Sequence, residues 1–457
     1  MGERSFDVVV IGAGPAGEVL AGRVAERGYA TAVVESHLVG GECSFYACMP
    51  SKALLRPAEL LSEAQRVAGV CEAVTHGLDV PSVLGRRNEI VHDLDDAGQV
   101  EWLTERGIAL VRGHGRLAGA RCVRAGDELL RARRAVVIAT GSGAAMPPIP
   151  GLAEARPWTS REATTSQVVP ERLLVLGGGV VGVELAQAYA SFGTSVTLVE
   201  AGPRLLAREE PFAAEQIAAA LRDHGVEVLT AVAATHVRRA GDEVRLTLDD
   251  GRELVGEELL VAVGRRPATA DLGLDTIGLQ AGGPLDVDDR MRVHGRDWLY
   301  AIGDVNGRSL LTHMGKYQAR VASRAIDGDG AACATQDGAG SPRVVFTDPQ
   351  LAAVGMTEAA ARDAGVDVRT VRRSTSASAG ASFVGRGARG SAQLVIDAGR
   401  DVLIGATFVG FEVGEWLQAA TVAVVGEVPI ARLWECVPAF PTRSEVWLAL
   451  LEAYERQ

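Results

Sequence analysis

Phe6-Asp7-Val8-Val9-Val10-Ile11-Gly12-Ala13-Gly14-Pro15-Ala16-Gly17 is an apolar, β-branched run that breaks at once into Gly-x-Gly-x-x-Gly. A helical pattern from Glu18 to Arg27 follows, and then a second strand pattern, Tyr29 to Val34, that ends in Glu35. Strand, glycine fingerprint, helix, strand and acid in this order make a dinucleotide-binding unit. Gly12 forms the tight turn, Gly14 lets the backbone approach a pyrophosphate, Gly17 lets helix and strand pack closely, and Glu35 accepts hydrogen bonds from an adenosine ribose.

The pattern occurs twice. Leu173 to Leu176 reads as a strand, Gly177-Gly178-Gly179-Val180-Val181-Gly182 repeats the fingerprint, a helix runs to Phe192, and Val196 to Val199 ends in Glu200. The acid follows the first glycine by 23 residues in both copies. Two dinucleotides are implied. An acid at this position accepts the ribose 2′-OH and repels a 2′-phosphate, so Glu200 favours NADH over NADPH, with Arg204 near enough to soften the preference.

Between the copies lies Gly40-Gly41-Glu42-Cys43-Ser44-Phe45-Tyr46-Ala47-Cys48-Met49-Pro50-Ser51-Lys52. Pro50 is tolerated only in a first helical turn, which places Cys48 at a helix N-terminus. There the helix dipole and free N–H groups lower a thiol's pKa and favour the thiolate needed for disulfide exchange. The pair reads as a redox disulfide. The alternatives are two free structural cysteines or half of a zinc site, but zinc needs four ligands and no second Cys or His pair at ligand spacing is nearby. Lys52 and Lys316 are the only lysines in an arginine-rich chain, so Lys52 marks a place for a compact, pKa-adjustable ammonium unless it is there by chance.

A length of 457 residues with 47% apolar composition supports two to four domains. The net charge of −12 argues against nucleic acid as the main partner. The longest uncharged run, Ala135 to Ala153, holds three glycines and three prolines and cannot be a membrane helix. The N-terminus shows no signal-peptide pattern, and six scattered cysteines do not make an extracellular disulfide framework, so a cytoplasmic enzyme with no metal and no membrane partner is expected.

Further along, Ala53 to Val70 and Asn88 to Arg106 read as long helices, and Gly107 to Leu117 as β structure with a turn at Gly113-His114-Gly115. His114 and Gly115 can offer backbone to a ligand, although an exposed turn histidine is the simpler reading. Ala135-Val136-Val137-Ile138-Ala139-Thr140-Gly141 is a buried strand ending in small residues, as where ligands sit at a sheet's C-terminal edge. Pro147, Pro148 and Pro150 mark a linker, and Gly264-Arg265-Arg266-Pro267 closes the second unit after strands at Val226 to Leu229, Glu243 to Leu248 and Glu258 to Ala262. Trp298 to Asp304 reads as a buried strand with Gly303 and Asp304 at its tip. The helix beginning near Thr312-His313-Met314 offers N–H groups to an electron-rich ring atom. A small-residue linker, Gly328 to Ser341, leads to strands at Arg343 to Phe346, Ala392 to Ile396 and Val402 to Val409, and helices at Thr357 to Ala364, Gly414 to Val425 and Pro441 to Tyr454.

Two dinucleotide units, Cys-x4-Cys after the first, Ala-Thr-Gly, Gly-Arg-Arg-Pro and Ile-Gly-Asp in this order resemble the class I pyridine nucleotide–disulfide oxidoreductases, the family of dihydrolipoamide dehydrogenase, glutathione reductase and mercuric reductase. The resemblance covers essentially the whole chain. It implies an α/β protein with two Rossmann-like domains and a C-terminal α+β dimerisation domain: FAD-binding 1–150, NAD(P)-binding 151–267, a central domain 268–336 completing the FAD site, and an interface domain 337–457 that makes a homodimer. FAD contacts would fall on Gly12, Gly14, Pro15, Ala16, Gly17, Glu35, Ser36, Gly41, Glu42, Lys52, His114, Gly115, Ala139, Thr140, Gly141, Gly303, Asp304, His313 and Met314. NADH contacts would fall on Gly177, Gly179, Val180, Val181, Gly182, Glu200 and Gly264. Cys48 would be the sulfur nearest the flavin, forming a charge-transfer thiolate, and Cys43 the interchange thiol facing substrate. Lys52 would pair with Glu184 beside the flavin edge.

The chain departs from the family near its C-terminus. Where disulfide-reducing members carry His-Pro-Thr-x-x-Glu, with the histidine serving as acid and base in the partner's site, this chain reads Phe440-Pro441-Thr442-Arg443-Ser444-Glu445. Phenylalanine moves no proton, and all eight histidines lie at or before His313. Pro441, Thr442 and Glu445 keep the register against an alignment slip. General acid–base help is worth on the order of 10²–10⁴ in rate, so reduction of an ordinary disulfide is expected to be impaired. Ser44-Phe45-Tyr46-Ala47 replaces the smaller residues usual in the cysteine loop. With Phe440 it implies an aromatic-lined mouth in which Tyr46 is the nearest proton donor or simply packs.

The reading that follows is an FAD-dependent NADH oxidoreductase delivering electrons to a small quinone-like or aromatic acceptor. The alternatives are a reductase of a low-molecular-weight disulfide using another base, and a flavin-bearing redox sensor or complex subunit.

Overall fold

A computed structural model describes residues 2–338 and 340–457. It gathers into two compact units. The first comprises 2–50, Asn88–Ala145 and Arg265–Gly338, and the second Ser51–Arg87, Met146–Gly264 and 340–457.

The first unit is built on the parallel pairing of Gly2–Ile11 with Thr31–Glu35 on one side and Glu128–Ile138 on the other. Val8, Val9 and Val10 are fully buried between helical layers, which is why the run is β-branched and continuous rather than alternating. Ala109–Arg112 extends the sheet beyond Thr31–Glu35, and Leu299–Ala301 lies parallel to Glu128–Ile138. The antiparallel strands Cys122–Ala125 and Gly115–Leu117 complete it. The first strand starts at Gly2, four residues before the sequence signal, because Gly2–Phe6 pairs with Glu128–Ala132 as an exposed extension that needs no apolar pattern.

The second unit repeats the parallel core at smaller scale, in the order Glu227–Thr230, Ser195–Glu200, Arg172–Leu176, Glu258–Val261. A three-stranded antiparallel sheet, Ala234–Ala240, Glu243–Leu248 and Glu253–Gly256, accompanies it. The C-terminal region is a five-stranded antiparallel sheet in the order Arg343–Val345, Gln350–Gly355, Val402–Gly410, Ser391–Asp397, Val368–Ser374. Helices Val413–Val425 and Val446–Glu455 bury Leu417, Leu450 and Leu451 with Phe408 of that sheet in one core.

Four expectations are corrected. Asn88 to Arg106 is two helices, Val80–Ile90 and Ala97–Glu105, separated by left-handed backbone at His92, Asp93 and Leu94. Asp96 is drawn out of helix by the Val39 N–H and the Arg112 guanidinium, both 2.6 Å from its Oδ2. The strand read from Trp298 to Asp304 is only Leu299–Ala301, and Gly303–Asn306 turns into a 3-10 helix. The C-terminal helix begins at Val446, not Pro441, with Arg443–Glu445 forming a separate 3-10 turn ahead of it. The Gly328 to Ser341 linker packs back in part: Ala332 and Ala334 join the first unit's core and Asp337 accepts from Gln318 at 2.9 Å. Ala339, within that segment, lies outside the described residues.

Candidate active site

In the first unit the fingerprint turn is held so tightly that side chains are excluded. A Cβ on Gly17 would lie 2.0 Å from the Gly12 carbonyl oxygen, and one on Gly12, at φ +101°, 2.4 Å from the Ala139 carbonyl oxygen. Gly14 caps the Pro15–Ala25 helix with no side chain over its first turn, so those N–H groups stay open, and no atom lies within 4 Å of a Cβ built on Gly14. Gly41, at φ +59°, crosses close above, where a Cβ built on it would lie 2.9 Å from the Gly14 Cα. Glu35 accepts the Ala13 N–H through one oxygen and the His37 N–H through the other, both at 2.7 Å, which locks the strand tip to the glycine turn. Backbone donors at a helix N-terminus with an open approach fit the pyrophosphate of FAD.

The other expected FAD residues of this unit lie on several elements. Ala139, Thr140 and Gly141 follow the Glu128–Ile138 strand beside the fingerprint, with Thr140 Oγ1 donating to the Ala268 carbonyl at 3.0 Å. Asp304 accepts from Ser142 Oγ at 2.5 Å and lies 3.5 Å from Arg265, while the Gly303 N–H is held by the fully buried Gln318 at 2.7 Å. His313 and Met314 open the Thr312–Ile326 helix, whose N-cap Leu311 provides no side-chain bond and leaves the end open to a ring atom. Gly115 is packed against Ile11 and Val34, and Ser36 and Glu42 stand at the tip of the second strand and in the cysteine loop. The His114 side chain is engaged by Asp271, through its carbonyl at 2.7 Å and its carboxylate at 3.2 Å.

Cys43 sits in a short helix, Gly41–Phe45, that the sequence did not signal, and Cys48 is the first residue of the Cys48–Arg66 helix. Both are thiols here. The Thr312 hydroxyl stands 3.4 Å from Cys48 Sγ and also hydrogen-bonds Cys43. The hydrogen bond to Cys48 and burial push the Cys43 thiol well above the ordinary thiol range, so in this arrangement Cys43 keeps its proton beside its neighbour's sulfur. Tyr46 follows Phe45 with ring centroids 6.4 Å apart.

The second unit repeats the same bonds. A Cβ on Gly182 would lie 1.9 Å from the Gly177 carbonyl oxygen, and Gly179 caps the Val180–Ser191 helix without a side chain. Glu200 accepts the Gly178 and Gly202 N–H groups at 2.6 Å each, as Glu35 does at the first fingerprint. Val180 is exposed at the helix start, and Gly264 takes φ +137° after the Glu258–Val261 strand. The Arg204 guanidinium donates to the Ala207 carbonyl at 2.7 Å. Lys52 reaches Glu184 at 2.7 Å, and Glu184, 3% exposed, also accepts the Phe346 N–H at 2.9 Å. The ammonium lies 4.8 Å from the Phe346 ring centroid.

Phe440 is 77% exposed and lines a cavity of about 230 Å³ with Trp434, Val437, Pro438, Trp447 and Leu448. Glu445 borders the same cavity, and its Oε2 accepts the Gly380 N–H at 3.2 Å. That loop is pinned there, because a Cβ on Gly380 would fall 2.1 Å from the Thr442 carbonyl carbon. Among the described residues no group of three or more His, Cys, Asp or Glu side chains is arranged to hold a metal. Reasoning from sequence did not single out Thr312, Ser142, Arg265 or Phe346. Arg265 sits in the quoted Gly-Arg-Arg-Pro, but only the fold reveals that it pairs with Asp304.

Residues 6–325 match the model of the pyridine nucleotide-disulphide oxidoreductase family, and residues 341–450 match that family's dimerisation domain. The chain belongs to this family. Its members use FAD and NAD(H), and the protein is an FAD-dependent oxidoreductase with a disulfide redox centre. It is similar to dihydrolipoyl dehydrogenase of Thermus scotoductus, 34% identical with 99% of this chain and 98% of the relative covered. It is also similar to mercuric reductase of Acidithiobacillus ferrooxidans, 35% identical over 94% of this chain and 79% of the relative. Among solved structures, the Cu(II) complex of the HOCl-induced flavoprotein disulfide reductase RclA from Escherichia coli superposes with a TM-score of 0.87 at 28% identity, covering 98% of this chain and 99% of the other. LpdA from Mycobacterium tuberculosis does so at 0.85 and 26%, covering 100% and 99%. No helix among the described residues is long and apolar enough to cross a membrane.

Proposed function

We propose that this enzyme passes electrons from NADH, by way of FAD and the Cys43–Cys48 pair, to a small planar acceptor of quinone-like or aromatic character. Bound FAD supplies the two-electron carrier between nicotinamide and cysteines. The chain's own residues do the rest. Glu35 and Glu200 fix the two fingerprint turns, Lys52, on the helix that Cys48 opens, holds its cation against Glu184, and Cys48 takes the inner and Cys43 the outer position of the pair. The protein works as a homodimer in which the Phe440 segment of one copy faces the Cys43 of the other.

The observation that carries the choice of acceptor is the Phe440 segment. The residue in the family's histidine position is exposed beside two tryptophans, and the glutamate that would orient a histidine bonds the Gly380 N–H instead. A planar acceptor takes electrons without a base at that position, whereas a disulfide needs its leaving thiolate protonated. The name of the dihydrolipoyl dehydrogenase relative favours a second reading, reduction of a low-molecular-weight disulfide such as lipoamide with another group as base.

Steady-state rates with lipoamide and with a water-soluble quinone, for wild type and Phe440→His, separate the two. The quinone reading expects quinone turnover well above lipoamide turnover in wild type, with the variant gaining lipoamide activity. Wild-type lipoamide turnover at the higher rate, unchanged in the variant, would refute it.

A further inference from the structure

Gln318, on the Thr312–Ile326 helix, is fully buried, and its Oε1 accepts two donors, the Gly303 N–H at 2.7 Å and the Asn306 amide at 2.9 Å. Its amide nitrogen donates to both oxygens of Asp337, at 3.0 and 2.9 Å. The Asp337 side chain is wholly shielded from solvent, and the Arg308 guanidinium stands 3.6 Å from its Oδ2. Arg308 closes the circuit, its backbone N–H donating to Asn306 Oδ1 at 3.0 Å. Asn306, Gln318, Asp337 and Arg308 therefore make a ring of polar contacts with one branch, to the Gly303 N–H, next to Asp304.

The ring fixes directions as well as distances. A side-chain amide by itself can turn over and exchange its oxygen for its nitrogen. A carboxylate only accepts, so with Asp337 on one side the Gln318 oxygen faces Gly303 and Asn306. Turned over, the amide would set oxygen against carboxylate and NH2 against two donors, and burial keeps water from relieving either mismatch. The turn held in this way is crowded. Gly303 takes φ +76°, a Cβ on it would lie 3.5 Å from the Ala16 Cβ of the fingerprint helix, and a Cβ on Gly315 would lie 3.3 Å from the Gly303 Cα. A shift of Gly303 therefore carries Asp304 with it and presses on the fingerprint helix.

Asp337 comes from none of the elements that carry the fingerprint or the turn. It lies one residue before the first unit ends at Gly338, and the match to the dimerisation domain begins at 341. We propose that Asp337 is a positioning residue of the FAD site, supplied by the connection to the dimerisation domain: it fixes the Gln318 amide and through it holds the Gly303–Asp304 turn in the form that receives FAD. Asp337 and Gln318 act through the backbone of the turn. The inference rests on the reading that Asp304 belongs to the FAD site.

The test is the FAD dissociation constant of the full chain, followed by flavin fluorescence, with urea unfolding midpoints measured in excess FAD. Asp337→Ala leaves the Gln318 amide without its acceptor and should raise the constant by about tenfold or more. Gln318→Glu sets two carboxylates face to face and should raise it at least as far. Combining Gln318→Glu with Asp337→Asn transposes acid and amide. The carboxylate at position 318 then accepts from Gly303 and Asn306 on one side and from the amide at position 337 on the other, so the double variant should return to within about threefold of wild type. Constants within twofold of wild type in Asp337→Ala and Gln318→Glu would overturn the proposal, whatever the midpoints do, because the ring would then support the fold alone. A double variant no tighter than Gln318→Glu would overturn it as well. If Gln318→Glu fails to fold, Asp337→Ala and Asp337→Asn decide, the asparagine keeping an oxygen for Gln318 and so expected to bind FAD more tightly than the alanine. Asp304→Ala tests the underlying reading separately: an unchanged constant there removes the turn from the FAD site, whereas a raised constant with unaffected Asp337 variants overturns the present inference only.

Discussion

Lys52→Met removes one charge from a pair that burial makes consequential. Glu184 has 3% of its side chain exposed and two partners, the Lys52 ammonium at 2.7 Å and the Phe346 N–H at 2.9 Å. The methionine keeps the aliphatic stem and takes away only the cation, leaving a buried carboxylate with a single neutral donor. Breaking a fully buried pair in this way costs about 3–5 kcal/mol. Here the lysine side chain is 34% exposed and water screens it, and the Phe346 bond survives, so the expected loss is roughly 2–3 kcal/mol. Glu184→Gln keeps an oxygen for the Phe346 N–H and frees an ammonium that can turn to water, at about 1 kcal/mol. The double variant has no uncompensated charge and should lie about 1 kcal/mol below wild type, well short of the sum of the single losses. The assay is urea unfolding of the four FAD-loaded proteins in excess FAD, compared as midpoint shifts at constant slope. A coupling of about 1.5 kcal/mol or more is expected from the cycle. Losses that add to within about 0.5 kcal/mol would show that Lys52 and Glu184 do not depend on each other, and the reasoning from burial would be wrong.

Three further outcomes follow from the geometry. Gly182→Val places a side chain where a Cβ already lies 1.9 Å from the Gly177 carbonyl oxygen, so the variant should keep FAD and be reduced by dithionite but not by NADH in stopped flow. Glu200→Ala removes the acid proposed to meet the ribose, so wild type should prefer NADH. The variant's ratio of kcat/KM values for NADH over NADPH should fall by roughly tenfold, and a ratio that stays put counts against the assignment. Glu18 has a folded pKa of about 7 against an ordinary 4.5. Its contribution to stability is therefore full below pH 4.5 and is lost as pH rises through 7, by roughly 3 kcal/mol in all. Unfolding free energies of wild type and Glu18→Gln measured between pH 5 and 8 should diverge in favour of the variant as pH rises, and parallel curves would contradict the buried carboxyl.

What could be read from the sequence and what could not divides by the range of the interaction that fixes each residue. The fingerprints were legible because their geometry is local: Gly12, Gly17, Gly177 and Gly182 are required by carbonyl oxygens within 2.5 Å of where a Cβ would stand, and the spacing of 23 residues to each acid is the length of one helix and one strand. The structure adds that each acid bonds its own glycine turn, so the repeat reaches to individual hydrogen bonds. The break at His92 to Asp96 was not legible, because Asp96 leaves the helical pattern to meet Val39 and Arg112, partners 57 and 16 residues away. Thr312 was read only as the start of a helix, since nothing local says that its hydroxyl meets sulfurs more than 260 residues earlier. Phe440 shows both sides. That a proton carrier is missing can be read directly from Phe-Pro-Thr-x-x-Glu, but the fate of the glutamate cannot, because its partner is the Gly380 N–H, 65 residues away. Once Glu445 is engaged there, restoring histidine at position 440 supplies a base without its orienting carboxylate. Phe440→His alone should therefore recover only part of a disulfide reductase's rate, and a loop freed from Glu445 should recover more.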